Sequence, residues 1–247
     1  MAWPIQLLIA SQAALWEQAQ QLATPWLSAQ EQQRYQSLQT ERRQREFMAC
    51  RYGLRQVLGL SGIQLDKVHL SASEGSAPAV IPHVSIPHPS SLSLAHSQDY
   101  VSCASAPFAL GVDLEVLPSR RLRNIRDAAQ LVCSPSELQM LGSMASAAEQ
   151  AERFIQCWVL KEAWFKCLGT GIDFQRITQI SCCVPDAQPP DARVLGYGWM
   201  WQATDADARC LLWALCTAQP VDLPDIALSL EHKLQPLDVQ PWLLLDM

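Results

Sequence analysis

The sequence predicts an α+β fold made of two similar halves. Helical patterns and β-like runs alternate along the chain in the order helix, strands, helix, strands, which is typical of this class. The chain has 247 residues and 49% hydrophobic content, so it can bury a substantial core without metal or disulfide cross-links. No repeat is apparent residue by residue, and the expected similarity of the halves therefore rests on element order.

The first helical region begins at Ser28, which forms an S-x-x-E capping box with Glu31. The sequence then runs without proline as far as Gly59 and Gly62, and we expect one or two helices there. Residues 75–91 are rich in proline and serine, which predicts an irregular connector or lid.

Residues 92–117 change to β-like runs. LSLAH and YVSCA predict a hairpin, and FALGVDLEVL predicts a third strand. Ser134, Pro135 and Glu137 then supply an N-cap, a proline at the first helical position and a capping glutamate, which predict a short helix.

A longer helix is expected over residues 148–168, because apolar residues recur on one side of this segment and Gly169 and Gly171 follow it. After it, WMWQA and CLLWALC predict an antiparallel pair of strands. The proline-rich tail from Pro220 onward shows no interpretable motif.

Composition excludes several classes of protein. A net charge of -6 with 17% charged residues argues against a disordered chain or a general nucleic-acid binder. The nine cysteines include no CxxC pair, so reduced thiols in a cytoplasmic protein are expected rather than a disulfide framework or a zinc site. No stretch approaches the roughly 18 apolar residues of a membrane span.

The segment GVDLE places Asp113 and Glu115 two residues apart in an apolar β-like run. On a strand, both side chains point to the same face. Two such carboxylates repel each other unless a cation lies between them, and their oxygens suit magnesium. The alternative is an edge strand whose outer face is solvated.

The segment WVLKEAWFK places Glu162 and Lys166 one helical turn apart on the long helix. They could form a surface ion pair worth roughly 0.2–0.5 kcal/mol. Their position along the edge of the apolar stripe favours a cleft rim for at least one of them.

Histidine and arginine residues could contact an anion. His96 ends a predicted strand, where it caps a turn or contacts a phosphate. The arginines fall into two clusters, of which the first could be a solvated helix face and the second directly follows the GVDLE strand, within reach of a phosphate-rich ligand. The clusters are Arg42, Arg43, Arg45, Arg51 and Arg55, and then Arg120, Arg121, Arg123 and Arg126.

Taken together, SLSLAHS, GVDLE and WVLKEAWFK followed by GTGI resemble the motifs of the Sfp-type phosphopantetheinyl transferases in order and spacing. The segment ERRQREFMACRYGLRQVLG resembles the first long helix of that family. The resemblance extends over about residues 27–174.

The resemblance implies a role for individual residues. Asp113, Glu115 and Glu162 match the magnesium ligands. The implied reaction also needs a base for the carrier serine, and Glu162 would serve as that base directly or through water. Lys166 matches a lysine near the phosphates that assists catalysis. His96 matches a contact to the 3′-phosphate of coenzyme A, and Arg51 and Arg45 lie in the helix that supplies basic contacts to the nucleotide.

Two departures from the family pattern concern coenzyme A. Ala95 stands where the family usually has serine before the histidine, and Ser76-Ala77-Pro78 stands where it often has Gly-Lys-Pro. We therefore expect altered affinity for coenzyme A, or compensation by an arginine.

The family fold implies a pseudo-dimer of two α+β halves, residues 1–117 and 118–247, with the active site at the interface between them. Because one chain supplies both halves, a monomer is expected. The implied reaction transfers the phosphopantetheine arm of coenzyme A to a serine of an apo acyl, peptidyl or polyketide carrier protein and releases 3′,5′-ADP, with magnesium required. No nucleic-acid or membrane partner is expected.

Two rival functions differ in class. One is a binding module for coenzyme A or a carrier protein with weakened catalysis, and intact Asp113, Glu115, Glu162 and Lys166 argue against it. The other is a different magnesium-dependent phosphoryl-transfer enzyme. Such an enzyme would need a nucleotide cradle, and the sequence contains neither G-x-x-x-x-G-K-[ST] nor G-x-G-x-x-G.

Overall fold

The structure is a computed structural model that describes residues 5–22, 25–60, 68–73, 77–81, 91–117, 124–231 and 234–246. It contains two sheets and, within these ranges, six α-helices, so the predicted α+β class is confirmed. The chain forms two compact units. The first comprises Met1–Leu110 with Asp222–Glu231, and the second comprises Gly111–Val221 with His232–Met247. The predicted domain boundary after Leu117 stays a prediction.

The first unit contains three helices and a four-stranded sheet. Its helices are α1 (Gln12–Gln20), α2 (Ala29–Ser37) and α3 (Glu41–Leu60). Its strands are β1 (Ile5–Ser11), β2 (Ser91–Ser97), β3 (Tyr100–Ala106) and β8 (Ile226–Leu230), in the order β2-β3-β1-β8. Strand β3 runs antiparallel to both β1 and β2, whereas β8 runs parallel to β1.

Helix α3 packs on this sheet mainly through apolar side chains. Leu54, Val57 and Leu58 are completely buried, as are Val101 and Cys103 of β3, and all five belong to one core cluster. Burial of such side chains supplies most of the stability of a helix of this length, because propensity alone is marginal.

The second unit contains three helices and a five-stranded sheet. Its helices are α4 (Ile125–Val132), α5 (Pro135–Ser143) and α6 (Ala147–Leu168). Its strands are β4 (Leu110–Leu117), β5 (Ile180–Cys183), β6 (Arg193–Thr204), β7 (Cys210–Thr217) and β9 (Gln235–Asp246), in the order β4-β7-β6-β9-β5.

Local sequence signals correctly predict the starts of α2 and α5 and the end of α6. The capping boxes at Ser28 and Ser134 are both present, and Gly169 ends α6 in the left-handed conformation with φ of 69°. Two helices, α2 and α3, occupy the first helical region. The predicted hairpin is β2 and β3, and the predicted pair near the C-terminus is β6 and β7.

Several strands are not predicted by the sequence. These are β1 and β8, together with β9, which is formed by the proline-rich tail. Of the expected connector over residues 75–91, the structure describes only residues 77–81 and Ser91. None of the helices in the described ranges combines the length and the apolar character that a membrane crossing requires.

Candidate active site

The acidic site of the second unit depends on close contact between β4 and α6. A Cβ atom on Gly111 would lie 1.9 Å from the carbonyl oxygen of Ala163 and 2.4 Å from the amide nitrogen of Cys167. Only glycine allows this strand to run so near the helix backbone. Two residues further along β4, Asp113 lies beside the last turns of α6.

Asp113 is buried next to both charged residues of the helix motif. Its Oδ1 accepts a hydrogen bond of 2.6 Å from Nζ of Lys166, and the same Nζ lies 3.9 Å from Oε2 of Glu162. The nearest acidic partner of Lys166 is thus Asp113, and the pair with Glu162 that the spacing predicts is present at the longer distance. The structure brings these three predicted residues together.

Burial has the largest effect on the pKa of Asp113. The residue is 3% exposed, and burial raises the pKa of its carboxyl group well above the ordinary value. The Lys166 ammonium lowers this pKa, while the Glu162 carboxylate raises it again. A positive neighbour, Lys166, and a negative neighbour, Glu162, therefore shift the pKa of this carboxyl group in opposite directions.

Glu115 lies on the same strand and is also buried, with 4% exposure. Although β4 is the last strand of its sheet, neither of its carboxylates is solvated, so the alternative of a solvated outer face is wrong. Burial of two carboxylates on one strand is costly unless each is compensated.

The donor set suits a divalent cation only in part. Oδ2 of Asp113 is buried and has no hydrogen-bond partner within the described ranges, and such an atom needs a proton or a cation. Asp113 and Glu162 therefore fit a hard metal ion. In the part of the chain that the structure describes, however, no three histidine, cysteine, aspartate or glutamate side chains are arranged to hold one.

A second candidate region is a basic pocket in the first unit. Its volume is about 640 Å³, which is within the usual range for small-molecule sites. Five of its lining side chains are arginine or histidine and only one is acidic, so the pocket favours an anion. The lining residues are Arg34, Leu38, Thr40, Arg42, Arg43, Glu46, Phe47, Cys50, Arg51, Leu94 and His96.

Two of the predicted coenzyme A contacts line this basic pocket. The His96 side chain is half exposed, and its Nε2 lies 3.5 Å from Oε1 of Glu46. Arg51 is 9% exposed and donates a hydrogen bond of 2.7 Å to the carbonyl oxygen of Ser71. This hydrogen bond holds the Arg51 guanidinium group in place.

Arg45 lies elsewhere on α3. It pairs with Glu41 one helical turn away and stacks over Trp16 at 5.9 Å. Among the described residues it is not part of the pocket lining. Its predicted contact with coenzyme A stays a prediction.

Three of the arginines that line the pocket, Arg34, Arg42 and Arg43, are not among the coenzyme A contacts that the sequence predicts. Arg42 and Arg43 enter the sequence prediction only as members of a basic cluster. The sequence does hold a signal for Arg43. Glu46 and Phe47 follow it by three and four residues, a spacing that predicts one shared helix face. Nothing in the sequence links Arg34 to this face, because it lies on a different helix.

The departure at Ala95 has a structural explanation. Ala95 is 4% exposed and alternates on β2 with the pocket residues Leu94 and His96, so its side chain points to the other face of the sheet. It lies opposite Ser102, whose buried hydroxyl has no partner within the described ranges. A serine at this position would face Ser102 rather than the pocket.

The structure describes only some of the remaining residues that the sequence analysis names. Arg120, Arg121 and Arg123 lie outside the described residues, as does Ser76, and Arg126 is exposed on α4. Arg55, counted in the first basic cluster, is completely buried against Glu31, so that part of the cluster is not a solvated face.

The family comparison bears on the second unit. Residues 109–216 match the family model of the 4′-phosphopantetheinyl transferase superfamily. The matched segment carries the predicted phosphopantetheinyl transferase residues Asp113, Glu115, Glu162 and Lys166, and it covers less than half of the chain. Phosphopantetheine transfer is therefore the general activity that the match suggests. The comparison with curated proteins gave no match.

Proposed function

We propose that the protein is a phosphopantetheinyl transferase of the Sfp type, which transfers the phosphopantetheine arm of coenzyme A to a serine of an acyl, peptidyl or polyketide carrier protein. The observation that carries the proposal is the buried Asp113, with one oxygen unpaired and with Glu162 and Lys166 beside it. This group lies within the segment that matches the superfamily model.

Asp113 and Glu162 would hold a magnesium ion, and Glu115 is a third ligand by the family resemblance alone, because no three acidic side chains of the described residues are arranged around one point. Bound there, the ion would neutralise the pyrophosphate of coenzyme A and so stabilise the charge that develops during transfer. Glu162 accepts the proton from the carrier serine, directly or through water. Its side chain is 16% exposed, so a substrate hydroxyl can reach it.

Transfer exchanges one phosphorus–oxygen bond for another. The serine oxygen forms a bond to the phosphorus that carries the pantetheine arm, and its proton goes to Glu162. The bond from this phosphorus to the bridging oxygen breaks, and the electron pair leaves with 3′,5′-ADP. Lys166 stabilises or protonates that leaving group.

The basic pocket of the first unit would bind the phosphates of coenzyme A at its adenosine end. His96 and Arg51, two of the contacts that the family resemblance implies, line it, and Arg34, Arg42 and Arg43 add three positive charges. These arginines are the compensation that we expect for the missing Gly-Lys-Pro lysine. An active site at the interface of the two halves, a monomeric state and a cytoplasmic location stay predictions.

The test is incubation of the protein with an apo carrier protein, coenzyme A and magnesium, followed by mass spectrometry of the carrier. We expect the carrier to gain the mass of one phosphopantetheine arm, and to gain none when magnesium is chelated. An unchanged carrier mass with intact coenzyme A binding would instead indicate the binding module. A panel of carriers would identify the accepted class.

A further inference from the structure

The ammonium group of Lys166 lies against two of the carboxylates that would bind a metal ion. Its Nζ lies 2.6 Å from Oδ1 of Asp113, and it is the basic partner in both ion pairs of the acidic group. A divalent cation that binds Asp113 and Glu162 brings two further positive charges to the same oxygens. Two cations at such a short distance repel each other strongly in a buried site.

We propose that Lys166 is the counter-ion of Asp113 in the metal-free protein, and that it must leave this carboxylate when the metal binds. This inference rests on the proposed function and adds a second role to Lys166. The lysine neutralises the acidic group first and contacts the phosphates of coenzyme A afterwards.

The geometry allows this exchange. The Lys166 side chain is 34% exposed, whereas that of Asp113 is 5% exposed, so the lysine has solvent into which it can swing. Lys166 lies in the last turn of α6, which ends at Gly169, and the partial negative charge of a helix C-terminus tolerates a cation there. Asp113, in contrast, is fixed on a strand.

The binding of the metal should therefore be coupled to the binding of coenzyme A. With metal alone, Lys166 loses its carboxylate partner and gains none, so binding of the metal is weakened. With coenzyme A present, the phosphates supply a new partner for the lysine. Metal and coenzyme A therefore bind cooperatively, and each raises the affinity for the other by the same factor.

The test is calorimetric titration of the full-length protein with Mn²⁺ alone, for the wild type, Lys166→Met and Arg193→Met. Arg193→Met is the matched control, because it removes an arginine from Asp246 in an exposed pair of the same unit. We expect Lys166→Met to bind Mn²⁺ at least about fivefold more tightly than the wild type, the lower end of usual coupling. The control should not change.

Two further measurements complete the test. Adding coenzyme A without carrier should tighten Mn²⁺ binding by the wild type and leave Lys166→Met much less affected. Mn²⁺ should also raise the melting temperature of Lys166→Met more than that of the wild type, which shows in addition that the variant is folded.

The inference is overturned if Lys166→Met binds Mn²⁺ as weakly as the wild type or more weakly, or if neither protein binds it. Failure of the proposed function has a different signature. In that case the wild type leaves the carrier mass unchanged with coenzyme A and magnesium, whatever the Mn²⁺ titrations show.

Discussion

The carboxylate of Glu137 lies 2.6 Å from Nζ of Lys161, and neither side chain is more than 2% exposed. In the first unit, Glu31 and Arg55 form a pair of the same kind, with both side chains completely buried. Each glutamate caps a short helix, and its partner lies 24 residues later on the long helix of the same unit. The two units thus share a buried ion pair between a helix-capping glutamate and the long helix, a similarity that is not apparent in the sequence.

Lys161→Met should strongly destabilise the protein. The substitution leaves the Glu137 carboxylate buried without its cation, which typically costs about 3–5 kcal/mol. Arg193→Met breaks an exposed pair and should cost less than about 1 kcal/mol. Urea unfolding of both variants measures the difference. Equal, small losses would mean that Glu137 is sufficiently compensated by the amides of Ser134 and Cys182, which also donate to it.

Gly111→Ala should displace β4 from α6. The added methyl group would meet helix backbone at less than 2.5 Å, so the strand must move, at a cost of about 1–3 kcal/mol or more. Asp113 would move with it, and Mn²⁺ binding should weaken. Gly142→Ala is the control, because its methyl group meets no described atom within 4 Å. If Gly111→Ala binds Mn²⁺ like Gly142→Ala does, close contact is not needed at this site.

Arg43→Gln should weaken coenzyme A binding, because Arg43 lines the basic pocket. Loss of one hydrogen bond between charged groups costs about 1.5–3 kcal/mol. Arg45→Gln, two residues away and paired with Glu41, should change affinity by less than about 0.5 kcal/mol. Calorimetry with coenzyme A measures both. A larger loss of affinity for Arg45→Gln than for Arg43→Gln would support Arg45 as the contact, which is what the family resemblance implies.

Asp113→Ala and Glu162→Gln should differ in kind. Asp113→Ala removes a metal ligand, so that magnesium-dependent binding of coenzyme A and turnover both fall. Glu162→Gln keeps the shape of the side chain but cannot accept the serine proton, so turnover should fall by about 10²–10⁴ while coenzyme A binding changes little. A Glu162→Gln protein that modifies carrier at nearly the wild-type rate would remove Glu162 from the role of base.

Stability should fall at alkaline pH because of the buried thiols. Burial raises the pKa of Cys50 to about 12 and that of Cys167 to about 11, from an ordinary value of 9.0. The unfolded chain therefore releases these protons first, and the free energy of unfolding decreases as the pH rises above 9.0. Urea unfolding at several alkaline pH values checks this sign; a stability that is flat over this range contradicts it.

Thiol labelling gives a companion measurement to the alkaline unfolding. All nine cysteines are free, and only Cys183 and Cys210 are not fully buried. A thiol reagent should react with these two before any of the others in the native protein, and with all nine in urea.

Local signals explain what could be predicted from the sequence. The capping boxes at Ser28 and Ser134, and the glycine stop at Gly169, depend on residues within one helical turn. The spacing of Asp113 and Glu115, and that of Glu162 and Lys166, fixed which side chains share a face. Each of these inferences needed only neighbours in the chain.

Long-range contacts explain the rest. The pairing of β1 with β8 joins Ile5 to Ile226, and no local pattern specifies a partner at that distance. For the same reason, the sequence did not show that Lys166 contacts Asp113 or that Arg34 joins the basic pocket. A charged residue in a helix looks the same in sequence whether its partner is water, as on an exposed face, or a buried carboxylate, as for Arg55.

Strand β8 also determines how the chain can be divided. Because Asp222–Glu231 completes the sheet of the first unit, a cut between Leu110 and Gly111 cannot produce two self-sufficient fragments. The N-terminal fragment would present the bare edge of β1, which invites aggregation. Split-protein designs should therefore supply the missing strand as a separate peptide or fuse it to the N-terminal fragment, and recovery of a soluble fragment would then report complementation.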